Sequence, residues 1–154
     1  EIKDELKKNN EFSVLLDGQM DFEVTNEGLR IELMESSSDA FFNISTAILN
    51  DSAKRLLGVM GEQLAQLNNK IVIEGHTDSR KFPGPETGYT NYELSADRAN
   101  AARQALIESG VKSSQVDEIR AYADNRLRDS ENPYDSSNRR ISIIVKFSSQ
   151  SQSE

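Results

Sequence analysis

The chain has 154 residues, with 18 basic and 26 acidic side chains, a formal net charge of -8 and no cysteine. That length buries a core without disulfide or metal staples, and the missing cysteine excludes disulfides while leaving the redox compartment open. The acidic balance argues against nucleic acid, which needs a concentrated basic surface, and no stretch approaches the roughly 18 consecutive apolar residues of a spanning helix.

Starting at Glu1 rather than methionine, the sequence is expected to be a piece of a longer chain. Residues 1 to 11 are charged and read as a linker end or a frayed helix. Phe12, Val14 and Leu16 alternate, Asp17-Gly18 signals a hairpin, and Met20, Phe22 and Val24 alternate again. A turn at Asn26 to Gly28 leads into Leu29, Ile31 and Leu33, a third run of period two. Ser36 to Asp39 is a polar loop, and Phe41-Phe42 is expected to pin it to the core. From Asn50 or Asp51, either a plausible N-cap, a helix to about Leu67 aligns Ala53, Leu56, Leu57, Met60, Leu64 and Leu67 on one face.

A strand over Lys70 to Glu74 follows, whose apolar Ile71-Val72-Ile73 suits a central position covered on both faces. Gly75-His76-Thr77-Asp78 reads as a polar turn, and Pro83, Gly84, Pro85 and Gly88 make Ser79 to Thr90 a long loop. The helix from Asn91 to Ser109 turns Leu94, Ala99, Ala102, Leu106 and Ile107 inward and ends at Gly110. One helical turn at Ser113 to Val116, a strand over Glu118 to Ala123, a loop over Asn125 to Ser137 and a strand over Arg140 to Phe147 complete the pattern. Ser148 to Glu154 is Ser/Gln-rich and expected to be disordered. Strand, helix, strand, helix, strand, strand predicts an α/β (α+β) two-layer sandwich, a mixed sheet with both helices on one face, extended by the N-terminal β-hairpin.

Two residues stand out chemically. Asp78 lies past the end of a buried strand, where open α/β folds place ligands, and Arg98 lies in the first turns of the helix that returns. A carboxylate holds an ammonium and a guanidinium holds a carboxylate with paired hydrogen bonds, so the two suit a zwitterion. The plainer reading is that they pair with each other. His76, the one histidine, offers part of a metal set or a general base, but a zinc site needs three or four ligands and neither Ser79 nor Ser95 sits in a nucleophile's setting. A structural histidine, hydrogen-bonded beneath the loop, is the expectation. Asn138-Arg139-Arg140 reads as a turn with strand-edge charges, at least one of them paired, or as a border of the Asp78 cleft.

Gly75-His76-Thr77-Asp78, Asn91-x-x-Leu94-Ser95-x-x-Arg98-Ala99, a helix ending at Gly110 and Asn138-Arg139-Arg140 before a last strand together resemble the OmpA-like peptidoglycan-binding domain. Gly88-Tyr89-Thr90-Asn91-Tyr92-Glu93-Leu94-Ser95-Ala96-Asp97-Arg98-Ala99-Asn100 and the long loop before it are similar to the flagellar stator B-subunits of the MotB family. The resemblance divides the chain into a linker and β extension (1–27), the binding domain (28–147) and a tail (148–154). It implies a non-catalytic module, without cofactor or metal, that grips the diaminopimelate end of the peptidoglycan stem peptide. Asp78 would take the ammonium and Arg98 the carboxylate. Thr77 and Asn91 would orient loop and helix, the backbone at Phe42 and Asn43 would close the pocket, and Asn138 and Arg139 match the family motif.

Beyond this chain it implies one inner-membrane helix, a periplasmic homodimer, a stator A-subunit and flagellar P-ring or accessory ring proteins. An envelope tether of the OmpA or Pal type, or a cell-wall hydrolase using His76 and Asp78, are the alternatives. One departure is Ala121-Tyr122-Ala123, where many relatives carry a glycine at the strand end.

Overall fold

The computed structural model describes residues 19–36, 40–43, 46–81 and 88–147. The Phe12 to Leu16 half of the expected hairpin, its Asp17-Gly18 turn, residues 37–39 and 82–87, and the tail lie outside these residues. In chain order the elements are β1 (Met20–Val24), β2 (Gly28–Met34), α1 (Asp51–Ala65), β3 (Ile71–His76), α2 (Asn91–Glu108), β4 (Val116–Ala121) and β5 (Arg140–Lys146). Single turns of 3-10 helix at Ser113–Gln115 and Ser136–Asn138 precede the last two strands.

The five strands form one sheet in the order β1-β2-β5-β3-β4. β5 runs antiparallel to both β2 and β3, and only β3 and β4 pair in parallel. This is the expected mixed sheet. Ile31, Ile143 and Ile73 stand abreast on neighbouring strands and are fully buried with Leu56, Met60, Leu64, Ala99, Ala102 and Leu106 of the two helices. Phe41 and Phe42 join that core, as expected of a pinned loop.

On the opposite face of β3, Glu74 is 2% exposed. It accepts hydrogen bonds from Arg30 Nε (3.2 Å), Arg120 Nη1 (3.2 Å) and the Tyr122 hydroxyl (3.3 Å). Burying a carboxylate is tolerable only with such compensation.

Local chemistry sets the helix ends. Asn50, of the two candidate caps, accepts from the Ala53 amide (2.8 Å) and starts α1. Thr90 and Glu93 form a capping box at the start of α2, with the Thr90 amide 2.6 Å from Glu93 Oε1. Gly110, at φ +117°, ends it as expected. α1 stops at Ala65, short of the predicted Leu67, and Ile107 is half-buried rather than inward.

Three strands differ from expectation, β5 only in ending at Lys146 rather than Phe147. β3 continues through Gly75 and His76, which the sequence suggested were turn, because both pair with Ile141 and Arg140 of β5. β4 spans Val116–Ala121 instead of Glu118 to Ala123, since Ala123 turns the chain with φ +53°. A left-handed alanine costs about 1–2 kcal/mol. The Ser95 hydroxyl 3.1 Å from its amide and the Thr77 amide 2.8 Å from its carbonyl hold it there.

The strand position of Gly75 explains why it carries no side chain. A Cβ built there would lie 2.1 Å from the Ser95 carbonyl oxygen, so α2 crosses β3 in direct backbone contact. Gly75→Ala is expected to destabilise the domain by about 2–3 kcal/mol in urea denaturation through overpacking. An unchanged midpoint would show that the contact is not needed.

Candidate functional site

The close crossing sets the positions of both proposed ligand residues. Three residues beyond Gly75 the chain reaches Asp78, and three beyond Ser95, nearly one helical turn, it reaches Arg98. Each is only 5% exposed.

Asp78 and Arg98 do not pair with each other. Asp78 Oδ1 accepts the Arg80 amide (2.9 Å), closing the turn after β3, and Oδ2 accepts Arg139 Nη1 (2.6 Å). Arg98 donates Nε to the Thr46 carbonyl (2.8 Å) and lies over the Phe42 ring with its guanidinium carbon 4.7 Å from the ring centre. Among the described residues it makes no ion pair. Burial pulls its pKa below the ordinary arginine value, Glu35 pulls it back up, Arg139 opposes, and Asp78 adds a smaller support. A salt bridge between Asp78 and Arg98 was the plainer expectation; Arg139 displaces it because its fork reaches Asp78 from the start of β5.

Arg139 also reaches a residue that the sequence pattern does not single out. Its Nε donates to Glu35 Oε1 (2.7 Å), and the Glu35 amide donates to the Arg139 carbonyl (3.0 Å). Glu35, 5% exposed just past the end of β2, accepts the Phe41 amide (2.9 Å) and the Phe42 amide (3.4 Å) on Oε2. Burial works against the Arg139 charge, but the bonds to Glu35 and Asp78 outweigh it and raise its pKa. Glu35, Arg139 and Asp78 therefore form one continuous chain of charge-assisted hydrogen bonds.

The remaining expected residues surround this chain in different ways. Thr77 is buried, donating its hydroxyl to the Asp78 carbonyl (2.9 Å) and its amide to the Ala123 carbonyl. Asn91 Nδ2 donates to the Arg80 carbonyl (2.8 Å), tying the loop after β3 to the start of α2.

Asn138 is fully buried. Its side chain accepts the Asp129 amide (2.8 Å) and donates to the Asp129 (3.2 Å) and Asn132 (2.9 Å) carbonyls. It shapes the neighbouring loop and so positions Arg139. The Asn43 carbonyl accepts from Thr46 and its amide donates to the Ile48 carbonyl, which ties Asn43 to Thr46, the residue whose carbonyl Arg98 holds. Arg140, also expected near a charge, bonds to Glu32 (3.1 Å).

His76 is buried and stacked on Tyr122, ring centres 5.0 Å apart. Its Nδ1 has no hydrogen-bond partner among the described residues, so the expected hydrogen-bonded histidine is a stacked one instead. Burial, reinforced by Arg140, Arg126 and Arg30, pushes its pKa from 6.5 down to about 3.

The OmpA family model matches residues 41–140, which include every residue of this cluster except Glu35. The chain belongs to the OmpA family. Motility protein B of Escherichia coli (strain K12) is 35% identical to this OmpA-family chain over 123 residues, 80% of the chain and 40% of that protein. The chain spans between 40% and 61% of the length of the Escherichia coli relatives it matches.

The fold is that of solved periplasmic domains of MotB. The Helicobacter pylori domain superposes with a TM-score of 0.67 at 23% identity, covering 87% of this chain and 85% of that one. The cell wall anchor of the T6SS from Pseudomonas aeruginosa superposes with a TM-score of 0.70 at 18% identity, covering 93% and 97%. No helix among the described residues is long and apolar enough to cross a membrane.

The buried histidine gives this OmpA-family domain a specific acid sensitivity. Its folded pKa lies below its unfolded value, so the unfolded chain binds the extra proton. The associated stability is fully present above about pH 6.5 and is lost as pH falls towards 3. Lowering the pH from 6.5 to about 4 is expected to destabilise wild type relative to His76→Phe by roughly 3 kcal/mol, read by denaturant titration. A pH-independent difference would contradict a histidine buried in its neutral form.

Proposed function

We propose that this OmpA-family domain is a non-catalytic peptidoglycan-binding module that grips the diaminopimelate end of the stem peptide. The observation that carries the reading is the arrangement of charge. Arg98 is buried, stacked on an aromatic ring and without an acidic partner among the described residues, beside two carboxylates that share one other arginine. A guanidinium buried this way has desolvation to recover, and a ligand carboxylate supplies it.

In this reading Arg98 holds the ligand's carboxylate and Asp78 its ammonium. Oδ1 and Oδ2 of Asp78 each carry one protein hydrogen bond, and each oxygen of a carboxylate has a further lone pair to offer. Thr77 and Asn91 hold the two loops that carry these groups, Asn138 and Arg139 brace them, and Phe42 with Asn43 forms the wall beside Arg98. Residues 28–147 act as the binding domain and residues 1–27 as its linker and β extension.

The 35% identity to Motility protein B supports placing the domain in the periplasm as the wall anchor of a flagellar motor stator. The whole protein would then carry an inner-membrane helix, form a homodimer and work with a stator A-subunit and flagellar ring proteins. The likeness to a T6SS cell wall anchor extends to the fold alone.

The wild-type domain is expected to co-sediment with purified cell-wall sacculi. Asp78→Ala and Arg98→Ala, each checked for folding by circular dichroism, should weaken binding by about 2–5 kcal/mol. Undiminished binding by both folded variants would overturn the site.

A further inference from the structure

The salt bridge between Asp78 and Arg139 poses a problem for any ligand ammonium. One arginine paired with one aspartate is a neutral pair, and a neutral pair attracts a cation weakly. Glu35 changes the count. Arg139 lies between two carboxylates, 2.7 Å from Glu35 and 2.6 Å from Asp78, so the three side chains together carry one net negative charge. Arg98 alongside carries one positive charge with no acidic partner among the described residues. The site is thus a dipole, one negative and one positive end, matched to a zwitterion of zero net charge.

We infer that Glu35 is the positioning residue that keeps Asp78 an ammonium acceptor, by claiming half of Arg139 and leaving the Glu35-Arg139-Asp78 trio with a net negative charge. This deepens the peptidoglycan reading and rests on it. Geometry supports the assignment. Glu35 is as buried as Asp78, and the Phe41 and Phe42 amides fix its second oxygen. It is also joined to Arg139 through the backbone, 3.0 Å from amide to carbonyl. A carboxylate held by that many bonds cannot swing away when the ligand enters, so Arg139 stays shared. Glu35 thereby selects an end group with a free amine over one whose amine is blocked.

The inference is tested by titrating the domain with meso-diaminopimelate-terminated stem tripeptide and with the same peptide acetylated on the terminal amine. Glu35→Gln should bind the free-amine peptide roughly tenfold more weakly than wild type while binding the acetylated peptide equally well or better. Glu35→Asp should retain part of the preference.

Glu35→Gln combined with Arg139→Gln removes one charge of each sign, restores a net negative Asp78 and should recover affinity for the free amine. A purely structural role for Glu35 would instead weaken both peptides alike and make the double variant worse than either single one. Equal preference in wild type and Glu35→Gln, or no recovery in a folded double variant, would overturn the role of Glu35 while leaving the peptidoglycan reading intact. Failure of wild type to bind either peptide would overturn both.

Discussion

The backbone of α2 meets the backbone of β3 at Gly75, and the positions of Asp78 and Arg98 depend on it. Gly75 and the Ser95 carbonyl meet where any side chain would intrude. Ser95 uses its hydroxyl to hold the Ala123 amide, and Ala123 in turn holds Thr77. Three elements that are distant in sequence are locked at that point, which fixes the acid that follows β3 relative to the arginine one turn along α2. The contact supplies close packing where polar chemistry alone would not bring two buried charged groups together.

Two buried acids, Glu74 and Asp78, are compensated to different degrees by their surroundings. Glu74 accepts from two arginines and a tyrosine, all on the face of the sheet away from α1 and α2, and its demand is met within the domain. Asp78 receives one backbone amide and one arginine that is shared with Glu35. The arginines divide in the same way. Arg30 and Arg120 are surrounded by carboxylates, whereas Arg98 rests on an aromatic face and a carbonyl. In a low-dielectric setting the incompletely compensated groups are the ones from which a ligand gains most.

Much of this was legible in the sequence. Apolar periodicity located both helices and the strands, because each buries one well-defined face. The Gly-His-Thr-Asp and Asn-x-x-Leu-Ser-x-x-Arg spacings singled out Asp78 and Arg98, and both are buried. Pairing between strands was less legible. Gly75 and His76 look like turn residues until β5 is placed beside them.

Glu35 was not readable, since it is one of 26 acidic residues and its importance comes from a partner 104 positions away. For the same reason Arg139, rather than Arg98, became the partner of Asp78. Which of several arginines reaches a given acid is decided by tertiary approach, not by spacing along the chain.

The most direct measurement is a crystal structure of the domain bound to a stem tripeptide that ends in meso-diaminopimelate. The ligand's ammonium should lie within hydrogen-bond distance of Asp78, and its carboxylate should accept paired hydrogen bonds from Arg98, with Arg139 still bridging Glu35 and Asp78. A peptide bound elsewhere on the domain, or one whose carboxylate leaves Arg98 unpaired, would contradict a zwitterion socket built from these residues.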